Sequence, residues 1–368
     1  MILVIFGTRP EFIKMAPIIQ ELKAQGLSYK TINTGQHKEM LLPLLDWFGI
    51  RPDYDLSIMK PNQSLNGIIH SSILLLDEIY ENEKPSVVLV QGDTTTAFVG
   101  ALAAFNKKIK VGHIEAGLRT NDLYNPFPEE ANRRLIGQIA TFHFTPTTQN
   151  TKNLVDSGVS EEAIYETGNT VIDALLYTKN KLNEQSHLSV VLQRSIEEYD
   201  RLITITGHRR ENIGKGFEEI FNAIKILATA NKNILFVYPV HLNPLVKDEA
   251  ENILKDMPNV MLVPPLDYPA FVELMSKSYL IISDSGGVQE EAPSLNVPVL
   301  VTRNNTERVE AVTCGAVVLV GVDRKNIVDQ ATVLLEDVSL HNQMTLIQNP
   351  YGDGTASQKI ISILKSHV

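Results

Sequence analysis

The chain is predicted to be an α/β protein made of two parallel-sheet domains, and three observations support this prediction. Its 368 residues exceed the roughly 250–300 at which a single hydrophobic core stops growing. Short, continuously apolar runs alternate with longer segments of helical period, which is typical of parallel strands covered by helices on both faces. The alternation restarts near the middle of the chain, so we expect a duplicated architecture with a cleft between the domains.

The first domain is predicted to span residues 1–175. Its strands are the apolar runs ILVIF, YKTIN, SVVLV, KVGHI and TFHFT, at residues 2–6, 29–33, 86–90, 110–114 and 141–145. A helix is expected between the first two strands, through about Ala24. The N-terminal run is too short for a signal peptide, no basic residue precedes it and no cleavage pattern follows it. It is therefore interpreted as the first strand of the fold.

The second domain is predicted to span residues 176–354. Its strands are LITIT, ILFVY, VMLVP, YLIIS, PVLVT and AVVLV, at residues 202–206, 234–238, 260–264, 279–283, 298–302 and 316–320. The polar stretch from about Asn180 to Ser195 favours a connection between the domains at this point. Residues 355–368 have the pattern of an amphipathic helix that can dock on either domain, including back on the first one.

The composition excludes several classes of protein. A hydrophobic fraction of 43% and a charged fraction of 21% are typical of a soluble globular protein, and no apolar run approaches the ~20 residues of a membrane span. The formal charge of −10 disfavours a nucleic-acid partner, because phosphate binding needs a basic surface. A single cysteine, Cys314, fits a reducing cytoplasm and is expected to be a small buried side chain.

Polar and charged side chains are concentrated directly after the predicted strands. In open parallel sheets a ligand lies beyond the carboxyl ends of the strands, so these segments form the expected site. The segments are GTRPEFIK, QGDTTT, HIEAGLRT, GHRREN, PVHLNP and DSGGVQEE, which begin at Gly7, Gln91, His113, Gly207, Pro239 and Asp284. Each one alone has a structural explanation, such as a helix N-cap or a solvated helix start. Six of them together favour a functional site.

Several common cofactor sites are absent from the sequence. The segment after the first strand lacks the G-x-G-x-x-G pattern, which argues against a tightly held NAD. No G-x-x-x-x-G-K-[ST] motif occurs, which excludes a P-loop nucleotidase. The histidines, the cysteine and the carboxylates show no zinc-site spacing. We therefore expect neither a metal nor a redox cofactor.

The segment SDSGGVQEEAPSL, Ser283–Leu295, predicts an anion site. A Gly-Gly turn that enters a helix exposes backbone N–H groups and the positive end of the helix dipole, and it has no Cβ to obstruct an anion. We expect Ser285, Gly286 and Gly287 to hold phosphate. The alternative is an ordinary glycine-capped helix with a polar face.

The charged residues around this turn extend the prediction from phosphate to a nucleotide. Glu291, farther into the same helix, can accept two hydrogen bonds from vicinal hydroxyls, as acidic residues do on ribose. Arg9 and Arg209 are available to neutralise a diphosphate. The sequence therefore indicates a site for a nucleoside diphosphate.

Candidate acids and bases lie mainly in the other half of the chain. They are Asp93, Glu115 and Glu129, with His208 in the second half. Glu129 and Arg133 are spaced i,i+4 after Pro128, so they are expected on one face of a helix and pointing into the cleft together. The alternative for this pair is a surface ion pair, which would add little to stability.

Taken together, the motifs resemble those of the non-hydrolysing UDP-N-acetylglucosamine 2-epimerases. The matching segments, in order from about residue 3 to residue 354, are GTRPEFIK, GDTTT, HIEAGLRT, FPEEANRR, GNTVIDAL, GHRREN, HLNP and DSGGVQEEAPSL. The chain departs from the usual pattern at Asn296, commonly Gly, and at Val309, commonly Pro. Both positions lie outside the core motifs and affect the expected loop geometry more than the expected activity.

The resemblance implies a fold and a reaction. The fold is a glycosyltransferase-B-like pair of Rossmann-like domains with an interdomain active-site cleft. The reaction is reversible C2 epimerisation of UDP-GlcNAc to UDP-ManNAc, by elimination of UDP to 2-acetamidoglucal and re-addition of UDP. It requires no redox cofactor. The family is usually dimeric, so a homodimer is expected, and its product supplies ManNAc units for cell-surface polysaccharide.

The resemblance also implies roles for individual residues. Asp93, Glu115 and Glu129 match the acid/base carboxylates, and His208 matches the histidine near the leaving diphosphate. The positions that match substrate contacts are Arg9, Lys14 and Arg133 in the catalytic pocket, Ser285, Gly286 and Glu291 at the diphosphate and ribose, and Phe271 beside uracil. The assignment of acid and base among the three carboxylates stays open.

Some bacterial members of the family are activated by a second UDP-GlcNAc. The matching positions here are Gln36, His37, Gln63 and His241, but the Arg of the usual Arg-Gln pair is Asn62 in this chain. Asparagine lacks the charged fork that arginine offers to phosphate, so we expect weaker activation. The alternative is that Lys60 or Lys38 supplies the missing charge.

Three other functions remain open at this point. A hydrolysing epimerase would release free ManNAc and UDP. A retaining glycosyltransferase of the same fold would need an acceptor. A nucleotide-sugar sensor would bind without turnover, although the number of carboxylates at the strand ends argues against it.

Overall fold

The computed structural model describes residues 1–36, 38–59 and 63–367, and only the backbone of Lys38, Glu39 and Arg210. The chain forms two compact units. The first contains Met1–Ala174 and the C-terminal segment from Tyr351 onward, and the second is Leu175–Pro350. Within the described residues no helix combines the length and the apolar character needed to cross a membrane.

The strands of the described chain fall into two groups, one in each unit. Those of the first unit are β1 (Ile2–Phe6), β2 (Tyr29–Asn33), β3 (Tyr54–Asp55), β4 (Val87–Gln91), β5 (Lys110–Ile114), β6 (Phe142–Thr145) and β7 (Ile164–Glu166). Those of the second unit are β8 (Arg201–Thr206), β9 (Ile234–Pro239), β10 (Val260–Val263), β11 (Leu280–Ser283), β12 (Val299–Val301) and β13 (Val317–Leu319).

Helices connect these strands and cover the sheets. In the first half they are α1 (Arg9–Ala24), α2 (Lys38–Phe48), α3 (Leu65–Glu83), α4 (Thr95–Asn106), α5 (Glu129–Ile139), α6 (Thr148–Asp156), α7 (Thr170–Leu182) and α8 (Val190–Glu198). They continue as α9 (Lys215–Ala230), α10 (Pro244–Leu254), α11 (Tyr268–Ser276), α12 (Gly286–Glu291), α13 (Val309–Thr313), α14 (Arg324–Glu336), α15 (Val338–Thr345) and α16 (Ala356–Lys365).

Each unit is built on a parallel sheet, as the alternation of apolar runs predicts. The described strands of the first unit pair in the order β3-β2-β1-β4-β5-β6-β7, and those of the second in the order β10-β9-β8-β11-β12-β13. All recorded pairings are parallel. The predicted α/β class with two parallel-sheet domains is therefore confirmed.

The order of the strands creates one switch point in each sheet. In the first sheet the chain runs outward from β1 to β3 and then returns beside β1 as β4, so the loops after β1 and β4 diverge. In the second sheet the same reversal separates the loops after β8 and β11. Ligands of such sheets bind where the loops diverge, at the carboxyl ends of the strands.

The C-terminal helix α16 belongs to the first unit. Its apolar side chains Ile360, Ile361 and Leu364 are buried. The carboxylate of Asp173 accepts hydrogen bonds from the backbone N–H groups of Ala356 and Ser357, which are orphan donors of the first helical turn. Asp173 therefore caps α16 from the beginning of α7.

The single cysteine corrects one expectation. Cys314 is exposed at the end of α13, where its thiol donates to the carbonyl oxygen of Ala311 at 3.4 Å. The prediction of a buried side chain was wrong because a short helix terminates at this residue and turns its last side chain outward.

Candidate functional site

The loop between β1 and α1 is fixed by a buried carboxylate. Thr8 is the N-cap of α1, and Glu11 accepts hydrogen bonds from the backbone N–H groups of Gly7 and Thr8 at 3.1 and 2.7 Å. Thr94, in the loop after β4, donates its hydroxyl to the other oxygen of Glu11 at 2.6 Å. Burial raises the pKa of Glu11 despite these hydrogen bonds. Glu11 thus ties together the two loops at the first switch point.

Space around this loop permits only glycine at position 7. A Cβ on Gly7 would lie 2.0 Å from the hydroxyl oxygen of Thr34. Arg9 is the first residue of α1, and its side chain is half-buried. Arg9 forms no ion pair with the residues that the structure describes, so its charge is available to a ligand.

Glu115 lies just beyond β5 and is surrounded by donors. The Nζ of Lys14 is 2.6 and 2.7 Å from its two oxygens, Gln91 donates to it, and the Nδ2 of Asn169 lies 3.3 Å from Oε1. The backbone of Glu115 has a φ of 61°, in the left-handed region that non-glycine residues rarely adopt. Such strain costs on the order of 1–3 kcal/mol and is typical of functional sites.

Asp93, in the loop after β4, is held by Arg133 of α5. The Nη2 and Nε of Arg133 lie 2.6 and 3.1 Å from one oxygen of Asp93. The Nη1 of Arg133 is 3.2 Å from Glu130, a fully buried carboxylate that also accepts from Arg134 and from the backbone of Thr120. The guanidinium therefore joins two carboxylates.

Glu129 and Arg133 both lie on α5, but the alternative of a surface ion pair between them is not what the structure shows. Arg133 contacts Glu130 at spacing i,i+3 and Asp93 across the sheet edge. Glu129 is the first residue of α5, is half-buried, and has no ion pair within the described part of the chain. The spacing predicted that Glu129 and Arg133 share a helix, whereas the contacts of Arg133 with Glu130 and Asp93 were not predicted.

Two buried histidines support the same sheet edge. His113 of β5 and His143 of β6 are register partners, and each is 1% exposed. The Nε2 of His113 lies 2.7 Å from the carbonyl oxygen of Gly92, which precedes Asp93. Burial is the main cause that lowers the pKa of His113 to about 3 and that of His143 to about 4. Both side chains are therefore neutral, and His113 anchors the loop that carries Asp93.

The positions considered for a second nucleotide sugar are only partly described. Gln36 accepts a hydrogen bond from Thr96 at 3.0 Å, and Gln63 donates to Ser71 at 3.4 Å. His37, Lys60 and Asn62, together with the side chain of Lys38, lie outside the described residues.

In the second unit, the loop after β8 carries His208 and Arg209. Both residues donate their backbone N–H groups to Asp284, which follows β11 and is fully buried. The Nδ1 of His208 lies 3.3 Å from Oδ1 of Asp284. Burial and the neighbouring cations lower the pKa of His208, while Asp284 opposes that shift.

His241, after β9, lies beside this histidine. The imidazole rings of His208 and His241 are stacked with their centroids 6.0 Å apart. The Nδ1 of His241 accepts from the backbone N–H of Asn243 at 3.1 Å, within the turn that begins α10.

Three arginines lie in the loops of the second unit: Arg209 after β8, Arg303 after β12 and Arg308 before α13. Arg308 donates to Glu290 at 2.8 Å and to Glu307 at 2.9 Å, and Arg303 donates to Glu211 at 3.2 Å. The Nε of Arg209 is buried without a hydrogen-bond partner among the described residues. Burial lowers the pKa of Arg209 and the nearby Arg303 lowers it further. An anionic ligand would relieve this accumulation of positive charge.

The Gly-Gly turn enters a short helix, as predicted. Helix α12 begins at Gly286 with Ser285 as its N-cap, and no side chain caps the helix. A Cβ on Gly286 would lie 3.1 Å from the guanidinium carbon of Arg308, so this arginine packs directly over the turn. A Cβ on Gly287 would meet only ordinary contacts, the nearest at 3.6 Å from Glu291.

The remaining predicted substrate residues lie on α11 and α12. Glu291 is 7% exposed at the end of α12, and the hydroxyl of Tyr268 donates to it at 3.4 Å. Phe271 is on α11, three residues beyond Tyr268, and is partly buried. The second unit thus brings the predicted phosphate and ribose residues onto one short helix and the neighbouring α11.

Four residues of the site were not predicted from the sequence. Gln91 and Asn169 hold Glu115, Glu130 holds Arg133, and Asp284 holds the His208 loop. All four lie within quoted motifs, and for Gln91 and Asp284 the position at a strand end was a further signal. No group of three or more histidine, cysteine or acidic side chains suited to a metal ion occurs among the described residues.

The fold and the two sets of strand-end residues define the class of protein. Two Rossmann-like parallel sheets, each with polar side chains at a switch point, form a glycosyltransferase-B-like α/β protein. Comparison with known proteins identifies the family.

A sequence model of the family described as UDP-N-acetylglucosamine 2-epimerase matches residues 20–365. The chain is 49% identical over 370 residues to the UDP-N-acetylglucosamine 2-epimerase of Campylobacter jejuni, covering 99% of this chain and 97% of that one. It therefore belongs to the UDP-N-acetylglucosamine 2-epimerase family.

Two solved structures are similar over almost the whole chain. The crystal structure of UDP-GlcNAc 2-epimerase from Neisseria meningitidis bound to UDP-GlcNAc is 48% identical with a TM-score of 0.88, and 99% of each chain is covered. The S. aureus MnaA–UDP co-structure is 44% identical with a TM-score of 0.87, covering 99% of this chain and 96% of that one.

Proposed function

We propose that this protein is a non-hydrolysing epimerase that interconverts UDP-GlcNAc and UDP-ManNAc. Membership of the family supports the substrate, and the Neisseria meningitidis relative was crystallised with UDP-GlcNAc. The product would supply ManNAc units for cell-surface polysaccharide, and the protein is expected to act as a homodimer in the cytoplasm.

The proposed reaction proceeds by elimination and re-addition. The C2 hydrogen of the sugar is not adjacent to a carbonyl group, so simple removal and return of a proton would be very slow. A base instead removes the C2 proton while the bond from C1 to the diphosphate oxygen breaks, which gives 2-acetamidoglucal and UDP. An acid then delivers a proton to the opposite face of C2 as the diphosphate oxygen of UDP bonds again to C1. No oxidant or reductant is consumed.

The observation that carries this proposal is the pair of ion-paired carboxylates at neighbouring strand ends of the first sheet. Asp93 follows β4 and is held by Arg133, and Glu115 follows β5 and is held by Lys14. Proton transfer requires a carboxylate in a fixed position, and each of these is held by a cation. Gln91 and Asn169 also donate to Glu115. Glu129, at the start of α5, is the third candidate. We leave the roles of acid and base unassigned among the three.

The second unit supplies the proposed nucleotide site. Ser285 and the backbone N–H groups of Gly286 and Gly287, with the charge of Arg209, are proposed to bind the diphosphate and stabilise it as it leaves. Arg9, a residue of the first unit, is proposed as a further contact of the diphosphate. Glu291 is proposed to bind the ribose hydroxyls, and Phe271 to lie beside uracil. The S. aureus relative with UDP bound is consistent with recognition of this part of the substrate.

Incubation of the purified protein with UDP-GlcNAc alone in D₂O, followed by ¹H NMR, tests the proposal. We expect UDP-ManNAc to accumulate to a constant ratio and deuterium to appear at C2 of both sugars, because the abstracted proton exchanges with solvent. Retention of the original hydrogen in both sugars would contradict elimination. Free ManNAc with stoichiometric UDP would identify a hydrolysing enzyme instead, and an absolute need for an acceptor would identify a glycosyltransferase.

A further inference from the structure

The loop that carries His208 is held from three neighbouring strands of the second sheet. The hydroxyl of Tyr238, in β9, donates to the carbonyl oxygen of Gly207 at 3.0 Å. Asn212 donates to the carbonyl oxygen of Thr302, just after β12, at 3.3 Å. Asp284, just after β11, accepts hydrogen bonds from the backbone N–H groups of His208 and Arg209 in the loop. The loop is therefore fixed in place at the switch point before any ligand binds.

Asp284 makes most of these contacts. Its Oδ2 accepts from the backbone N–H groups of His208 and Arg209 at 3.0 and 2.9 Å and from the side-chain amide of Asn212 at 3.2 Å. Its Oδ1 lies 3.3 Å from Nδ1 of His208. Oδ1 is also 3.2 Å from the backbone N–H of His208.

The two side chains differ greatly in exposure. Asp284 is 0% exposed, whereas the side chain of His208 is 44% exposed. The structure records no hydrogen bond from Nε2 of His208 to any described residue. One ring nitrogen thus faces a buried carboxylate and the other is left for a ligand.

We propose that Asp284 is a positioning residue that fixes His208 with Nδ1 protonated and Nε2 available to the diphosphate of the nucleotide sugar. The hydrogen-bond partner of one ring nitrogen of a histidine determines which of the two nitrogens carries the proton. A carboxylate oxygen can only accept, so Nδ1 must donate to it. Nε2 then approaches the leaving group as an acceptor, or as a donor once the ring is protonated.

The surrounding charges are consistent with this role. Burial disfavours protonation of His208, as do Arg209, His241 and Arg303, whereas Asp284 favours it. An arriving diphosphate would add negative charge on the Nε2 side. Asp284 therefore stabilises the imidazolium that can donate to the departing phosphate oxygen.

The alternative is that Asp284 only satisfies the backbone donors of the loop. The variant Asp284→Asn separates the two possibilities because the amide has nearly the same shape. Its oxygen can occupy the position of Oδ2 and keep the three hydrogen bonds made there by His208, Arg209 and Asn212, whereas the longer contact of the His208 N–H with Oδ1 is lost. Its NH₂ group then faces Nδ1 of His208, and two donors cannot bond to each other. The ring must change tautomer or lose the contact.

The direct test is ¹⁵N NMR of the histidine rings in the ligand-free protein, with His208 assigned by comparison with His208→Gln. In the unmodified protein, at a pH where the ring is neutral, we expect Nδ1–H. In Asp284→Asn we expect Nε2–H. His341, whose Nε2 lies 2.8 Å from the carbonyl oxygen of Tyr279, is the internal control and should not change. An Nε2–H tautomer of His208 in the unmodified protein would refute the proposal without any variant.

The kinetic test rests on the proposed epimerase function. If Asp284 acts through His208, Asp284→Asn should lower kcat by roughly 10-fold or more and should change KM less, because it removes part of the roughly 10²–10⁴-fold that a positioned proton donor provides. In a His208→Gln background the same change should have no further effect on kcat. Asp337→Asn, which alters the N-cap of α15, is the matched acid-to-amide control.

The two tests fail in distinguishable ways. A further loss of kcat in the double variant, with an unchanged tautomer in the single one, would show that Asp284 is only structural. Absence of epimerase turnover in the unmodified protein would contradict the proposed function but leave the NMR result as a test of the Asp284–His208 contact.

Discussion

Lys14 and Glu115 are 101 residues apart in the chain, yet the Nζ of Lys14 lies 2.6 and 2.7 Å from the two carboxylate oxygens of Glu115. Both side chains are largely buried, at 13% and 12% exposure. If one partner of this buried pair is removed, the other is left with an uncompensated charge, which destabilises the fold. Lys14 also holds Glu115 in position, which a carboxylate that transfers a proton requires. The pair therefore connects the stability of the first unit with the proposed chemistry.

Replacement of the carboxylates by amides tests that chemistry. Asp93→Asn, Glu115→Gln and Glu129→Gln keep the shape of each side chain but remove its capacity to transfer a proton, so we expect kcat to fall by roughly 10²–10⁴-fold. Glu81→Gln, at a surface ion pair with Lys107, is the control and should leave kcat unchanged. Initial rates of UDP-GlcNAc turnover measure the effect. Near-normal rates in all three amides would show that the chemistry lies elsewhere.

Removal of the Arg133 guanidinium should reduce stability as well as activity. Arg133→Met leaves Asp93 without its cation and the fully buried Glu130 with Arg134 alone, and breaking a buried pair typically costs up to about 3–5 kcal/mol. We expect a clear decrease in the free energy of unfolding by urea. Lys107→Met, which breaks a surface pair, is the matched control and should change it little. Equal effects of the two changes would argue against a structural role for Arg133.

The longer strands were predictable from the sequence because each one coincides with a continuously apolar run. The short edge strands β3 and β7 were not predicted, since two or three residues carry no periodic pattern. Strand-end positions of the candidate carboxylates also followed from the sequence. Their partners did not: Arg133 meets Asp93, 40 residues away, and Asp284 meets His208, 76 residues away. Such contacts depend on strand order, which local patterns do not contain.

Acid should destabilise the first unit through His113 and His143. Burial holds the pKa of these histidines at about 3 and about 4, whereas in the unfolded chain each pKa is near 6.5. Their contribution to stability is therefore complete above pH 6.5 and is lost as the pH falls toward 4, because only the unfolded state binds the proton. The loss is about 1.4 kcal/mol per pH unit for each histidine.

Urea unfolding at pH 7.5 and pH 5 measures this dependence. His143→Leu should reduce the difference between the two pH values by about 2 kcal/mol, because it removes one of the two groups. Ile136→Val, in the same buried core, removes no titrating group and should leave the difference as it is in the unmodified protein. An unchanged difference in His143→Leu would contradict a neutral buried His143.

Glu291 should affect nucleotide binding more than turnover. Glu291→Gln keeps an oxygen that can accept from Tyr268 but weakens the acceptor proposed for the ribose hydroxyls, so we expect KM and the Kd for UDP to rise while kcat changes little. Calorimetric titration with UDP and steady-state kinetics measure the two effects. Tyr268→Phe removes the hydroxyl that donates to Glu291 and is the control for loss of that contact alone. A fall in kcat without a change in the Kd for UDP would place Glu291 in the chemistry instead.

Activation by a second UDP-GlcNAc should be weak in this protein because position 62 is asparagine. An arginine there would offer a charged, bidentate contact to a phosphate, and asparagine cannot. Starting from pure UDP-ManNAc, we therefore expect an immediate linear rate that a trace of UDP-GlcNAc barely changes. Asn62→Arg should create a lag that UDP-GlcNAc abolishes, whereas the neutral control Asn62→Gln should not. A long lag in the unmodified protein would instead show that another cation, such as Lys60 or Lys38, supplies the charge.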